Sequence, residues 1–118
     1  MARTEDPRPV TIFHNPGCST SVKVLGLIRE RGIEPEVVRY VERGWARASL
    51  SRVLDALALR PRDLLRTRSP EGRALAEKDD AAIFAAMLAD PTLVERPVVT
   101  SAKGAALCRP AERVLQLL

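Results

Sequence analysis

Cysteine is scarce in this chain of 118 residues. Cys18 and Cys108 stand far apart, and with the single histidine, His14, they offer neither a disulfide framework nor the paired spacing of a zinc cluster, so no bound metal is expected. Aromatic residues are as thin: one Trp, one Tyr and two Phe, too few for the stacking platform of a single-strand nucleic-acid binder. No apolar run approaches membrane-spanning length, and residues 1–9 (MARTEDPRP) lack the apolar core of a signal peptide and read as a loose leader. A protein of the reducing cytoplasm, with no membrane and no nucleic-acid partner, is the expectation. The net charge of +4 is spread among acidic residues, which suits solubility plus a local anion site. Hydrophobic content of 46% suits a single compact domain over residues 10–118.

What is present begins at Val10–Ser21, VTIFHNPGCSTS. The apolar or β-branched residues Val10 to Phe13 read as a buried strand, broken by Asn15, Pro16 and Gly17. From Ser19 the apolar spacing of Val22, Leu25 and Ile28 suits a helix. Cys18 therefore stands at a strand-to-helix handover. There it faces unsatisfied backbone N–H groups and the positive end of a helix dipole, and both favour thiolate over thiol. Free cysteines are mostly buried packing residues, but a polar turn of Gly, Ser and Thr is a poor place to bury sulfur. A reactive thiol is the favoured reading.

Further along, a helix over about 19–31 ends at Gly32, and Glu36 to Val41 reads as a second strand parallel to the first. Ser49 or Ser51 caps a helix to about Ala58. Arg60-Pro61 breaks it, and Asp63 to Arg66 starts a short helical turn. Glu71 to Ala76 forms another short helix, and a helix capped by Asp79 or Asp80 runs to about Ala89, closed by Asp90-Pro91. Val98 to Thr100 is β-prone, Lys103-Gly104 reads as a hairpin turn, and Ala105 to Cys108 as its return strand. Arg109-Pro110 opens a final helix to Leu118. The order is β-α-β, helices, β-β-α.

Three arginines stand at element boundaries: Arg66, Arg96 before Pro97, and Arg109 before Pro110. Guanidinium forks match tetrahedral oxyanions and would lower the pKa of a nearby thiol. Taken singly each reads as a surface residue, and spacing alone does not show that they converge. The stretches HNPGCSTS (14–21), LLRTRSP (64–70), ERPVVT (95–100) and LCRPAERVL (107–115), in this order, resemble the glutaredoxin-coupled arsenate reductase family from about residue 10 to the C-terminus. The resemblance implies an α/β, thioredoxin-like fold whose β-α-β and β-β-α halves carry an inserted helical segment. It implies Cys18 as nucleophile, Arg66, Arg96 and Arg109 as anion-binding residues, and Pro97 as the cis proline of such folds. His14 corresponds to a histidine thought to help acidify the thiol; on its own it reads equally as a hydrogen-bonding residue at the strand end. The sequence departs from the family at Val22, where an arginine is frequent, followed by Lys23. The loop Glu42 to Ala48 also differs, and its Trp45 is expected to be a partly exposed packing residue.

The implied activity is thiol-dependent reduction of arsenate through a cysteine–arsenic adduct on Cys18. Ser21 stands where a dithiol oxidoreductase has its second cysteine, and it could donate to the thiolate or cap the first turn. Cys108, between Leu107 and Arg109, reads as buried packing. The second thiol is therefore expected from outside: glutathione as co-substrate, then glutaredoxin, with no bound cofactor. Two rivals are a regulator or adaptor of the same fold, like the polymerase-binding relatives that use C-x-x-C, and a monothiol glutaredoxin-like protein.

Overall fold

The computed structural model describes residues 10–118; the leader expected at 1–9 lies outside them. The described residues form two compact units, one of the chain up to Arg39 together with Arg96–Leu118, the other Tyr40–Glu95.

The first unit is a four-stranded sheet, order β2-β1-β3-β4. Strand β1 (Val10–Phe13) is central, with Val10 and Ile12 turned into the core by strand alternation. Strand β2 (Glu36–Val38) pairs with it in parallel, Ile12 opposite Val37, and β3 (Val98–Ser101) pairs on its other side, antiparallel. Between β1 and β2, helix α1 (Ser19–Glu30) buries Ser21, Val24 and Ile28, one face at helical spacing. The hairpin partner β4 (Gly104–Leu107) opposes β3 with Ser101 facing Gly104, so the turn is Ala102–Lys103. That is one residue earlier than the expected Lys103-Gly104, and Cys108 falls just past the return strand. Gly104 has φ +135°, a conformation open to glycine and strained for other residues, so the glycine begins the strand instead of filling the turn.

The C-terminal segment winds as a 3-10 helix, Ala111–Leu117, with Pro110 as its N-cap. An α-helix from Arg109-Pro110 was expected; in the tighter winding Ala111, Val114 and Leu117, three apart, form the buried edge. They meet Val10, Ile12, Val24, Ile28, Val99 and Cys108 in one apolar core. Arg96-Pro97 and Arg109-Pro110 are both cis, the first as the resemblance implied.

In the second unit the strand expected to reach Val41 has already ended, and Tyr40–Arg43 forms a helical turn, α2. Tyr40 is fully buried, its ring 5.5 Å from that of Trp45, and its hydroxyl donates to the Val94 carbonyl at 3.3 Å. Trp45, expected to be partly exposed, is 9% exposed. Helix α3 (Arg47–Leu57) buries Leu50, Val53 and Leu54; its N-cap is Ala46, and Ser49 sits inside the first turn, its hydroxyl accepting from the Ala46 N–H at 3.1 Å.

Helix α4 (Pro61–Leu64) starts at the proline itself, so Pro61 opens this turn instead of only ending the previous one. Arg66 lies beyond it, in an extended bridge that pairs Leu65 with Val94. Helix α5 (Pro70–Leu75) is capped by Ser69 and α6 (Asp80–Ala89) by Asp79, each accepting from the backbone N–H three residues on. Arg62 ties them, donating to Asp80 at 2.9 Å and to the Ala76 and Lys78 carbonyls.

Two glycines inside helices make opposite predictions. A Cβ on Gly72 would stand 1.9 Å from the Arg66 carbonyl oxygen, whereas one on Gly26 meets nothing within 4 Å. Helix propensity alone favours alanine by about 1 kcal/mol at either position. In urea unfolding, Gly26→Ala is expected to gain about that much, and Gly72→Ala to lose stability because the clash lies against backbone.

Candidate active site

The hydrogen bonds of the β1-to-α1 connection bring the Cys18 sulfur to the helix end. The His14 N–H donates to the Val38 carbonyl at 2.8 Å and extends the β1–β2 pairing by one residue. Asn15 then closes the turn on itself. Its carbonyl accepts from the Cys18 N–H at 3.0 Å and its side-chain oxygen from the Gly17 N–H at 2.9 Å. Cys18 is thereby the N-cap of α1, in extended conformation and with no cap bond from its own side chain.

Ser21 occupies a core-facing position of α1 and is fully buried. Its hydroxyl accepts from the Asn15 N–H at 3.1 Å and shares a 2.6 Å hydrogen bond with His14 Nδ1. Burial first, then the charges of Arg39 and Arg29, lowers the His14 pKa below its ordinary value. The direction of the His14–Ser21 bond follows the imidazole tautomer, and the serine oxygen, with two lone pairs, takes the Asn15 N–H in either case. This hydroxyl is thus engaged with His14 and Asn15. It is the backbone N–H of Ser21 that turns to the sulfur, a distinction the sequence did not reveal.

Burial by itself would raise the Cys18 pKa. Against it act the Ser21 N–H, the Arg96 guanidinium as hydrogen-bond donor and charge, and the Thr20 N–H, and the balance is a lowered pKa. Arg109 approaches from another side, its Nη1 3.9 Å from Cys18 Sγ and also donating to the Arg96 carbonyl at 3.1 Å. Two of the three arginines singled out in the sequence therefore meet at the thiol. Arg66 belongs to the other unit. There its N–H donates to the Leu93 carbonyl at 2.7 Å, and its Nε is buried without a hydrogen-bond partner, a donor left over for an acceptor. Pro97 is buried at the entry to β3, and its carbonyl accepts from the Cys108 N–H at 2.9 Å.

Cys108 is fully buried, and burial pushes its thiol up to about 11. Among the described residues no three His, Cys, Asp or Glu side chains are grouped to hold a metal ion, and no helix is long and apolar enough to cross a membrane.

A sheet of order β2-β1-β3-β4 with a free thiol at the head of the helix after β1 and a cis proline opening β3 defines a thioredoxin-like protein. The sequence profile of the ArsC family matches residues 13–117. Over 113 residues the chain is 46% identical to the arsenate reductase ArsI2 of Synechocystis, spanning 92% of this chain and 81% of that protein. Over a stretch of the same length it is 40% identical to an arsenate reductase of Escherichia coli, with 92% and 80% covered. The solved arsenate reductase from Vibrio cholerae superposes with a TM-score of 0.85 at 37% identity, covering 92% of this chain and 97% of that one. The chain belongs to the ArsC family.

The contrast between the cysteines is measurable. At neutral pH iodoacetamide is expected to modify Cys18 and spare Cys108 until the protein is unfolded, as mass spectrometry of peptides would show. The Cys18 rate should fall only as pH drops through its lowered pKa, below the range of an ordinary thiol. Modification of both residues at equal rates in the folded protein would contradict the assignment.

Proposed function

We propose that this protein is an arsenate reductase in which Cys18 is the nucleophile. The observation that carries the reading is the convergence of Arg96, Arg109 and the first backbone N–H groups of α1 on a half-buried sulfur whose pKa is lowered. Arsenate enters as an oxyanion whose charge these donors offset. The Cys18 thiolate attacks arsenic, an arsenic–oxygen bond breaks, and the departing oxygen takes a proton and leaves as water. Arsenic is still pentavalent in this adduct. When a second thiolate attacks a sulfur bound to arsenic, a sulfur–sulfur bond forms and the former bonding pair stays on arsenic, which becomes trivalent. One arsenate and two thiols thus give arsenite, one disulfide and water.

The second thiol comes from outside the chain in this proposal. Cys108 is buried and protonated at neutral pH, and Ser21 has no thiol to offer, which also counts against a C-x-x-C switch. Glutathione followed by glutaredoxin fits the family's coupling, and a reducing cytoplasm suits a free thiol of this kind. Arg66 is proposed as an anion-binding residue on the strength of the LLR motif and its unpartnered Nε.

An arsenate reduction assay with glutathione and glutaredoxin tests the reading. Wild-type protein is expected to turn over, Cys18→Ser to fall to background and Cys108→Ser to retain activity. Hydrogen bonds to charged groups are worth about 1.5–3 kcal/mol, so Arg109→Ala should lower kcat/KM roughly 10- to 150-fold. Full activity in Cys18→Ser, with the fold checked by circular dichroism, would refute the nucleophile.

A further inference from the structure

Beside the thiol a cleft of about 380 Å³ is lined by Thr20, Lys23, Arg109, Pro110, Ala111 and Glu112. It lies wholly within the first unit, and its volume falls in the range of small-molecule sites, about 300–1,000 Å³. One end is the active site itself, because the Thr20 N–H and the Arg109 guanidinium both face Cys18 Sγ. Lys23 and Glu112 form an ion pair at 2.9 Å, each side chain more than half exposed. A pair so open to water is worth little and is opened at small cost. The cleft therefore presents two cations, Lys23 and Arg109, and one anion, Glu112, within reach of the reacting sulfur.

We infer that this cleft receives the peptide of the incoming thiol, a small zwitterionic peptide thiol carrying two carboxylates and one ammonium. The charge pattern of such a peptide is the complement of the cleft's. One carboxylate replaces Glu112 on Lys23, the ammonium takes up the freed Glu112, and the second carboxylate meets the guanidinium N–H groups of Arg109 that are not turned to the sulfur. Bound in this way, the peptide places its thiol at the end of the cleft where Cys18 lies. The inference rests on the proposed external thiol and goes beyond it by naming where that thiol is recognised.

Thiol–disulfide exchange without arsenic isolates recognition from reduction. With glutathione disulfide, the Cys18 thiolate attacks one sulfur, a Cys18–glutathione disulfide forms, the original sulfur–sulfur bond breaks and one glutathione thiolate leaves. The rate constant is divided by that for bis(2-hydroxyethyl) disulfide, an uncharged probe, so the thiolate fraction of Cys18 cancels. Lys23→Glu is expected to lower this ratio at least about fivefold. Arg31→Glu, the same change in net charge at the other end of α1, should leave it within about twofold. N-acetylation of the glutathione amines should slow the reaction of wild type and not that of Glu112→Gln. A ratio that Lys23→Glu leaves unmoved, or that Arg31→Glu lowers as much, overturns the inference whatever happens to arsenate. Ratios as expected in a protein that does not reduce arsenate would support the cleft and overturn the arsenate reading instead.

Discussion

A helix N-terminus must satisfy backbone N–H groups, and in α1 the group placed to do so is a sulfur atom. Cys18 occupies the N-cap, where Ser, Thr, Asp or Asn ordinarily supply an acceptor oxygen. A thiol accepts weakly and a thiolate strongly, so the unmet demand of the Thr20 and Ser21 N–H groups favours loss of the proton. Burial works the other way. The site is balanced between desolvation, which holds water off the sulfur, and a set of donors strong enough to keep it charged.

The donors need fixed positions, and the surrounding bonds provide them. The triangle of His14 Nδ1, Ser21 Oγ and the Asn15 N–H locks the end of β1 to the first turn of α1 from the core side. With His14 neutral, this lock brings no positive charge of its own. The charge comes from Arg96 and Arg109, which each precede a proline at an element boundary. The hairpin of β3 and β4 connects them, and the bond from Arg109 to the Arg96 carbonyl holds the second guanidinium by the backbone of the first. Acidification and fixation are thus divided between two sets of groups.

The sequence showed β1, α1 and the thiol between them because periodicity, turn residues and the cap position agreed there. The boundary arginines were visible as candidates, but convergence is a property of pairing. Nothing local says that β3 lies beside β1, which is what delivers Arg96 to Cys18. Val41 was assigned to a strand on β propensity, yet Tyr40 is drawn inward to stack on Trp45 and bond Val94, and tertiary packing turns the chain into a helix. The C-terminal helix was legible as a helix and not as a 3-10 one, because the three-residue spacing of Ala111, Val114 and Leu117 also fits an α-helical face. Ser21 was judged by its place in C-x-x-S, whereas its burial and its bond to His14 depend on the core beneath it.

That placement of Ser21 bears on the chemistry. In dithiol relatives of this fold the residue three after the nucleophile resolves the first covalent bond. Here the side chain at that position points into the core, and its hydroxyl is fully engaged by His14 and Asn15. Cys108, the other sulfur, is sealed in the same core and stays protonated at neutral pH. Neither position offers a nucleophile, and the reasons are independent, one chemical and one steric and electrostatic. In the proposed mechanism the covalent intermediate on Cys18 is therefore met from the solvent side. On that side stand Thr20, the exposed ion pair of Lys23 and Glu112, and Arg109, and at Val22 an apolar side chain half exposed to water. The positive charge at this edge is carried by Lys23 and Arg109, both of which line the cleft.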